Sequence, residues 1–136
     1  MDNCLIGPGV SKKLYEILKQ YNVFRLFIVR GKNSYEDCGA ASIIDPIIKE
    51  YDSVHFSDFQ TNPKIEDIIN GINLIKKYHC DLVVGIGGGS VIDMAKSINF
   101  LHAQEGNDYN NYIQNGVTNP KKGLPLVSIP TTFGSG

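Results

Sequence analysis

Residues 81–100 read Asp-Leu-Val-Val-Gly-Ile-Gly-Gly-Gly-Ser-Val-Ile-Asp-Met-Ala-Lys-Ser-Ile-Asn-Phe, and this stretch decides the fold. Its first part, Leu82 to Ile86, is a short apolar run rich in β-branched residues, which is typical of a strand buried on both faces of a parallel sheet. Three glycines and Ser90 follow, and after them apolar residues recur at helical spacing. The stretch therefore predicts a strand, a glycine turn and a helix.

The glycine turn predicts a binding site for an anion, most often a phosphate. Glycine lets a ligand approach the backbone closely, and the first helical turn carries N–H groups without internal partners. Gly87, Gly88 and Gly89 would form the cradle, and Ser90 would either cap the helix or donate its hydroxyl to the anion. The alternative is a glycine-rich connection without a ligand, although three glycines exceed what a turn needs.

Two common phosphate-binding fingerprints do not fit this turn. From Gly85 the chain reads Gly-x-Gly-Gly-Gly-Ser, so the Rossmann fingerprint fails at its last glycine. The Walker A loop also fails, because no Lys-Ser or Lys-Thr follows the glycines. Asp93 and Lys96 lie three residues apart on the predicted helix and share a face. They are either an ordinary surface pair or groups placed to touch a ribose or a nicotinamide.

The rest of the chain alternates predicted strands and helices with short connections. Strands are predicted at 4–6, 24–29, 54–59 and 126–129, and helices at 14–21, 38–51 and 65–78, with a short one around 109–113. Pro46 is expected to interrupt the second helix, and Thr61 or Asn62 to cap the third. This order predicts an α/β fold, a Rossmann-like parallel sheet with helices on both faces.

Composition limits the class of protein. The chain has 136 residues, enough for one domain with a core, and 13 basic against 14 acidic residues give a net charge of −1. This balance predicts no nucleic-acid partner and no membrane partner, and we see neither a membrane span nor a signal peptide. Cys4, Cys38 and Cys80 fit reduced thiols and match no zinc spacing. We therefore expect a cytoplasmic protein.

Ligands of open α/β sheets lie at the carboxyl ends of the strands. Three predicted loops meet that description here: Gly31 to Ser34, Gly87 to Ser90, and Thr131 to Gly136. We expect these three loops to surround one site.

Two motifs resemble a known family. The run Gly-Gly-Gly-Ser-Val-Ile-Asp-Met-Ala-Lys at 87–96 resembles the signature of the iron-containing (group III) alcohol dehydrogenases. The run Ile-Pro-Thr-Thr-Phe-Gly-Ser-Gly at 129–136 is similar to that family's second nucleotide-contacting segment, in the right order and at the right separation. The resemblance implies that Thr131 and Thr132 contact the dinucleotide, whereas a Thr-Thr turn is the alternative. Dehydroquinate synthases, which share the architecture, are less similar because they usually lack the Ser…Asp…Lys pattern.

The resemblance also implies that the first loop lies at the adenine ribose. A carboxylate at the end of such a strand favours NAD, whereas neutral or basic groups accommodate the 2′-phosphate of NADP. Residues 29–34 read Val-Arg-Gly-Lys-Asn-Ser, without a carboxylate before Glu36, and family members with glycine at the position of Gly31 are similar to the NADP-dependent group. We predict that NADP(H) is preferred over NAD(H). Gly31, Asn33, Ser34 and Lys32 would surround the phosphate, and an ordinary solvated loop is the alternative.

A metal is implied by the resemblance alone. The family holds Fe²⁺ or Zn²⁺ with one Asp and three His in a helical domain, and its members are more than twice as long as this chain. His55, His79 and His102 fall on separate predicted elements without ligand spacing, so none is expected to bind metal. We expect residues 1–136 to be the N-terminal dinucleotide-binding domain, with no catalytic residue, no metal ligand and no helical metal domain.

The sequence thus predicts the cofactor-binding domain of a metal-dependent alcohol dehydrogenase or aldehyde reductase. The family reaction is hydride transfer between nicotinamide and a small alcohol or aldehyde, among which a phosphonate aldehyde is one candidate. The resemblance implies a homo-oligomer at full length. A dehydroquinate-synthase-like lyase and a nucleotide-binding module without catalysis are the alternatives.

Overall fold

The structure is a computed structural model that describes residues 4–5, 9–59 and 64–133. It confirms the predicted alternation of strands and helices. The elements are β1 (Cys4–Leu5), α1 (Val10–Gln20), β2 (Arg25–Arg30), α2 (Ser34–Asp37), α3 (Ala40–Ile48), β3 (Asp52–Phe56), α4 (Ile65–Tyr78), β4 (Leu82–Gly87), α5 (Gly89–His102), α6 (Tyr109–Asn115), β5 (Leu126–Pro130) and β6 (Thr132–Phe133). The predicted caps Thr61 and Asn62, and the predicted loop residues 134–136, lie outside the described residues.

Four strands form a parallel sheet in the order β3-β2-β4-β5, as the α/β prediction requires. The chain runs outward from β2 to β3, crosses back to β4 on the other side of β2, and then runs outward to β5. The direction of winding therefore reverses between β2 and β4. Ligands of open α/β sheets bind in the crevice that such a reversal leaves at the carboxyl ends of the strands.

Helices cover both faces of the sheet. Successive side chains of a strand point to opposite faces, so each strand contributes to two cores. Phe27 and Val29 of β2 pack with residues of α4 and α5 in one core. Leu26 and Ile28 pack with residues of α1 and α3 in the other. Among the described residues, no helix is long and apolar enough to cross a membrane.

A short antiparallel pair, which the sequence did not predict, joins β1 to β6. Cys4 pairs with Phe133 and Leu5 with Thr132. Thr132 therefore lies in a strand rather than in the loop that the sequence predicted. This pairing brings the start of the described chain beside the segment that follows β5.

The predicted helix over 38–51 is wrong in its detail. A break at Cys38 and Gly39 separates α2 from α3, and Gly39 has a left-handed backbone with φ +88°. Glycine adopts this conformation without a steric penalty, so it marks the break. Pro46 lies inside α3 and does not interrupt it.

Asn99 fastens the segment before β5 to α5. Its side chain is buried, its Nδ2 donates to the carbonyl oxygen of Leu124 at 2.9 Å, and its Oδ1 accepts from the N–H of Leu124 at 2.9 Å. A Cβ on Gly123 would lie 2.7 Å from the backbone oxygen of Asn99, so the close approach needs glycine there. These contacts guide β5 into place beside β4.

Replacing Asn99 with leucine should lower the free energy of unfolding by about 2 kcal/mol, because both backbone groups of Leu124 lose their partner. Urea denaturation followed by circular dichroism measures this change. Asn70→Leu, at an exposed position of α4, is the matched control and should change stability by less than about 0.5 kcal/mol. Equal stability of the two variants would contradict the role of Asn99.

Candidate functional site

The N-terminus of α5 opens at the carboxyl end of the sheet. Gly88 is the N-cap residue, with φ −80° and ψ −172°, and it is followed by a first turn without a side-chain cap or an acidic residue. The N–H groups of that turn lack helical partners and carry the positive end of the helix dipole. The end of α5 therefore has the chemistry of an anion site.

Ser90 does not cap the helix, contrary to one of the two predicted roles. It is the second residue of α5 and is exposed. The helix begins two residues earlier than a serine cap requires, because the extended backbone of Gly88 already fills the cap position. Donation of the Ser90 hydroxyl to an anion stays a prediction.

The three glycines of the turn differ in what the fold demands of them. Gly87 has φ +153°, and a Cβ there would lie 2.9 Å from the Cβ of Val91, so the turn itself requires glycine. A Cβ on Gly88 or on Gly89 would meet nothing within 4 Å, and neither residue has a positive φ. Neither steric space nor backbone conformation requires glycine at 88 and 89, whereas a ligand close to the backbone would require it.

Close packing between β4 and α5 fixes where this helix begins. A Cβ on Gly85 would lie 2.9 Å from the Cβ of Ala95, which is fully buried. The helix therefore sits directly on the strand. Its first turn is held at the reversal of the sheet, next to the end of β2, because Arg30 and Ile86 are register partners.

The loop after β5 contacts the glycine turn. The N–H of Thr131 donates to the carbonyl oxygen of Gly87 at 2.9 Å, and Gly87 is the register partner of Pro130. Thr131 is half-buried, whereas the side chain of Thr132 lies outside the described part of the structure. The structure thus brings the backbone of Thr131 to the predicted cradle.

The loop after β2 occupies the other side of the reversal. A Cβ on Gly31 would collide with the Oγ of Ser34, so this hydroxyl fills the space beside Gly31. The carbonyl oxygen of Asn33 accepts from the N–H of Asp37 at 2.9 Å, and the residue is exposed. The Nζ of Lys32 lies 3.7 Å from the Oδ1 of Asp58, and both side chains are exposed.

Asp93 and Lys96 are both exposed on α5. Neither forms an ion pair with another described residue. Both side chains are therefore available to a ligand, and their predicted contact with a ribose or a nicotinamide stays a prediction.

A cluster around Arg30 was missed by the sequence analysis. The Nε of Arg30 donates to the Nδ1 of His55 at 3.0 Å, its Nη1 donates to the carbonyl oxygen of Gly31 at 3.1 Å, and its guanidinium stacks 4.7 Å from the ring centre of Tyr35. The hydroxyl of Tyr35 donates to the Oδ1 of Asp45 at 2.6 Å. The pairing of β2 with β3 brings Arg30 near His55, whereas Tyr35 and Asp45 come from α2 and α3, and no local pattern reveals this cluster.

Charges in this cluster keep its members in defined protonation states. Partial burial and the neighbouring charge of Arg30 lower the pKa of His55, which favours the neutral ring that accepts at Nδ1. Burial and the hydrogen bond to Asp45 raise the pKa of Tyr35, so its phenol stays a donor. His55 thus belongs to a polar network rather than being an isolated surface residue.

The three histidines do not gather. His79 is the left-handed C-cap of α4, with φ 53°, and the Nε2 of His102 lies 3.2 Å from the Oδ1 of Asn99. Burial and the charge of Lys76 lower the pKa of His102. Within residues 4–5, 9–59 and 64–133, no three His, Cys, Asp or Glu side chains are grouped so as to hold a metal ion.

A polar cavity lies away from the reversal of the sheet. It measures about 440 Å³ and borders the segment after the C-terminus of α5, the end of that helix farthest from the glycine turn. Among its lining residues, Lys121 and Glu105 form an ion pair at 2.7 Å. This cavity is an alternative location for a polar ligand.

Comparison with known proteins supports one family. The model described as iron-containing alcohol dehydrogenase matches residues 2–136. The chain is 37% identical to long-chain-alcohol dehydrogenase 1 of Geobacillus thermodenitrificans, over 96% of this chain and 34% of the relative. It is 33% identical to the NAD-dependent methanol dehydrogenase of Bacillus methanolicus, over 97% of this chain and 34% of the relative.

A solved structure agrees in fold. The sulfoacetaldehyde reductase of Bifidobacterium kashiwanohense, in complex with NAD⁺, superimposes with a TM-score of 0.77 at 25% identity, over 90% of this chain and 32% of that one. The chain spans about a third of the length of the curated relatives it matches.

Proposed function

This chain belongs to the iron-containing alcohol dehydrogenase family, and from that premise we propose that it is the dinucleotide-binding part of an alcohol dehydrogenase or aldehyde reductase. The observation that carries the proposal is the open pair Gly88 and Gly89 at the uncapped start of α5. A diphosphate needs close backbone approach, free N–H donors and positive potential, and all three coincide there.

The residues around the reversal fit such a cofactor. The cradle Gly87 to Ser90 would hold the diphosphate, and Thr131 and Thr132 would border it. The loop formed by Gly31, Asn33 and Ser34 would hold the adenosine ribose, and Asp93 and Lys96 would face the nicotinamide half. When bound, a nicotinamide dinucleotide supplies or accepts a hydride at a carbonyl carbon. This chain's own part is to bind and orient it.

The metal that the family name implies does not fit the described residues, since no suitable cluster exists among them. We propose instead that its ligands lie in a separate domain outside residues 1–136, and that residues 1–136 form the dinucleotide-binding domain. The length of the relatives, about three times that of this chain, supports this division.

A small alcohol or aldehyde is the proposed substrate class. The names of the relatives support it, since they include alcohol dehydrogenases and a sulfoacetaldehyde reductase. That reductase acts on an anionic aldehyde, which favours testing phosphonate and sulfonate aldehydes first.

We also propose a cytoplasmic location and a homo-oligomer for the complete polypeptide. The location is supported by Cys80, whose buried thiol forms no disulfide, as is usual in cytosolic proteins.

The proposed function is tested with the complete polypeptide that the gene encodes. Titration with NADPH and with NADH, followed by nucleotide fluorescence, measures cofactor binding. Oxidation of the bound nucleotide on addition of a small aldehyde then measures hydride transfer. Binding without any aldehyde-dependent oxidation would favour a non-catalytic module, and no binding of either nucleotide would overturn the proposal.

We further propose a preference for NADP(H), although several relatives are named with NAD or NADH. The support is Gly31 at the end of β2, where a carboxylate would favour NAD. Gly31→Asp should therefore raise the Kd for NADPH at least about tenfold and leave the Kd for NADH unchanged or lower, because a carboxylate repels the 2′-phosphate. Calorimetric titration of both nucleotides measures the ratio.

The matched control is Gly31→Asn, which adds nearly the same volume without the charge. Either substitution moves the Oγ of Ser34, a short side chain that can rotate. A similar loss of NADPH binding in both variants would show that volume, not charge, governs this position. A wild-type preference for NADH would contradict the proposed NADP(H) preference itself.

A further inference from the structure

We propose that Arg30 is the residue that binds the 2′-phosphate of NADP(H). The inference rests on the proposed function, since it names a contact within the same dinucleotide site. It differs from the sequence-based prediction, which placed Gly31, Asn33, Ser34 and Lys32 around that phosphate. Arg30 becomes the cation that decides between the two cofactors.

Arg30 is held at the correct edge of the sheet. It is the last residue of β2, the strand that borders the reversal, and its Nη1 donates to the carbonyl oxygen of Gly31 at 3.1 Å. This bond turns the guanidinium toward the loop that follows the strand. The side chain is only partly exposed, so its position is set by protein contacts.

The guanidinium is oriented by neutral partners. Its Nε donates to the Nδ1 of His55, and its Cζ lies over the ring of Tyr35. The carboxylate of Asp45 accepts a hydrogen bond from the hydroxyl of Tyr35 and forms no ion pair with Arg30. Orienting an arginine in advance reduces the entropy lost when it binds a phosphate.

The charge of Arg30 is not neutralised. Among the described residues, no carboxylate lies within ion-pair distance of its guanidinium. The bonds to His55 and Gly31 use only Nε and Nη1, which leaves the N–H groups of Nη2 for a ligand. A half-buried cation with donors to spare favours an anion, and phosphate matches the planar fork of arginine.

The surroundings offer room for a ligand. A cavity of about 340 Å³ borders Arg30, and Tyr35, His55 and Lys49 also line it. The acidic residues Glu36 and Asp45 border the same cavity, and their carboxylates repel an anion. The cavity can therefore hold an anion only where that anion contacts the guanidinium directly. A single phosphate monoester beside Arg30 meets that limit.

Lys32 is the weaker candidate. Its Nζ already lies 3.7 Å from the carboxylate of Asp58, and 69% of its side chain is exposed. An exposed lysine on a flexible stem contributes little fixed potential. Arg30 is better placed, because three contacts hold it and none of them removes its charge.

The test is a set of titrations on the complete polypeptide with NADPH and NADH. Arg30→Met keeps the length of the side chain and removes the charge. We expect the Kd for NADPH to rise about tenfold or more and the Kd for NADH to change less than about threefold. Lys32→Met tests the rival cation, and Lys122→Met, in the exposed segment before β5, is the charge control. Arg30→Lys should recover part of the loss, because it restores the charge without the fork.

The outcomes separate the two proposals. An equal loss for NADPH and NADH in Arg30→Met would assign Arg30 a role in shaping the loop and overturn this inference. A loss of NADPH binding in Lys32→Met but not in Arg30→Met would also overturn it. Retained NADH binding shows in each variant that the chain is folded. If the wild type binds neither nucleotide, the proposed function fails, and this inference fails with it.

Discussion

Replacing Gly88 with valine should weaken dinucleotide binding at least about 100-fold and leave the free energy of unfolding within about 1 kcal/mol of the wild type. The two effects separate because there is open space where the Cβ of the new side chain would lie. A Cβ on Gly88 has nothing within 4 Å, and the backbone there is extended, at φ −80° and ψ −172°. Valine adopts that conformation readily.

The loss of binding has a steric cause. The space above Gly88 is where a diphosphate must lie to reach the N–H groups of Gly89 and Ser90, and the valine methyl groups would occupy it. Fluorescence titration with the preferred nucleotide measures the change in Kd, and urea denaturation measures stability. Unchanged binding in a folded Gly88→Val protein would place the ligand elsewhere.

Replacing Gly87 with valine, one residue earlier, should mainly reduce the stability of the fold. Gly87→Val should lower the free energy of unfolding by about 3 kcal/mol or more, since two penalties combine. The backbone of Gly87 has φ +153°, which side chains rarely adopt, and such strain costs about 1–3 kcal/mol. Its Cβ would lie 2.9 Å from the Cβ of Val91, and overpacking of this kind costs about 1–3 kcal/mol.

Urea denaturation of Gly87→Val and Gly88→Val side by side tests this contrast, because the two proteins differ only in the position of one valine. Circular dichroism at 222 nm is a suitable probe of the helices. If Gly87→Val is as stable as the wild type, the turn does not have the conformation described here. If Gly88→Val is equally destabilised, glycine at 88 has a structural role after all.

Local patterns in the sequence were sufficient for the main features of the fold. Apolar runs such as Leu82 to Ile86 and the helical spacing after Ser90 predicted β4 and α5, and the structure confirms both. The parallel sheet followed from the alternation of elements. The order of its strands did not, because each strand is buried on both faces and carries no mark of its neighbours.

Features that depend on pairing between distant segments could not be predicted. The β1–β6 pair joins residues 4–5 to 132–133. The bond between Thr131 and Gly87 depends on β5 lying beside β4. The cluster around Arg30 depends on β3 lying beside β2. The spacing of residues along the sequence does not predict these contacts.

Ser90 illustrates a different limit. Serine is a favoured N-cap residue, and the pattern allowed that role. The backbone of Gly88 takes the cap position instead, which leaves the first turn of α5 without a side-chain partner. For a site that binds an anion, this is the more useful arrangement, because a capping side chain would occupy the donors that the ligand needs.

The central claim is that the uncapped start of α5 holds the diphosphate of a dinucleotide. A crystal structure of the complete polypeptide with ADP-ribose tests it most directly, since this ligand keeps the diphosphate and lacks the nicotinamide. We expect diphosphate oxygens within about 3 Å of the N–H groups of Gly89 and Ser90. A diphosphate bound elsewhere, for example in the polar cavity beside Lys121 and Glu105, would contradict it.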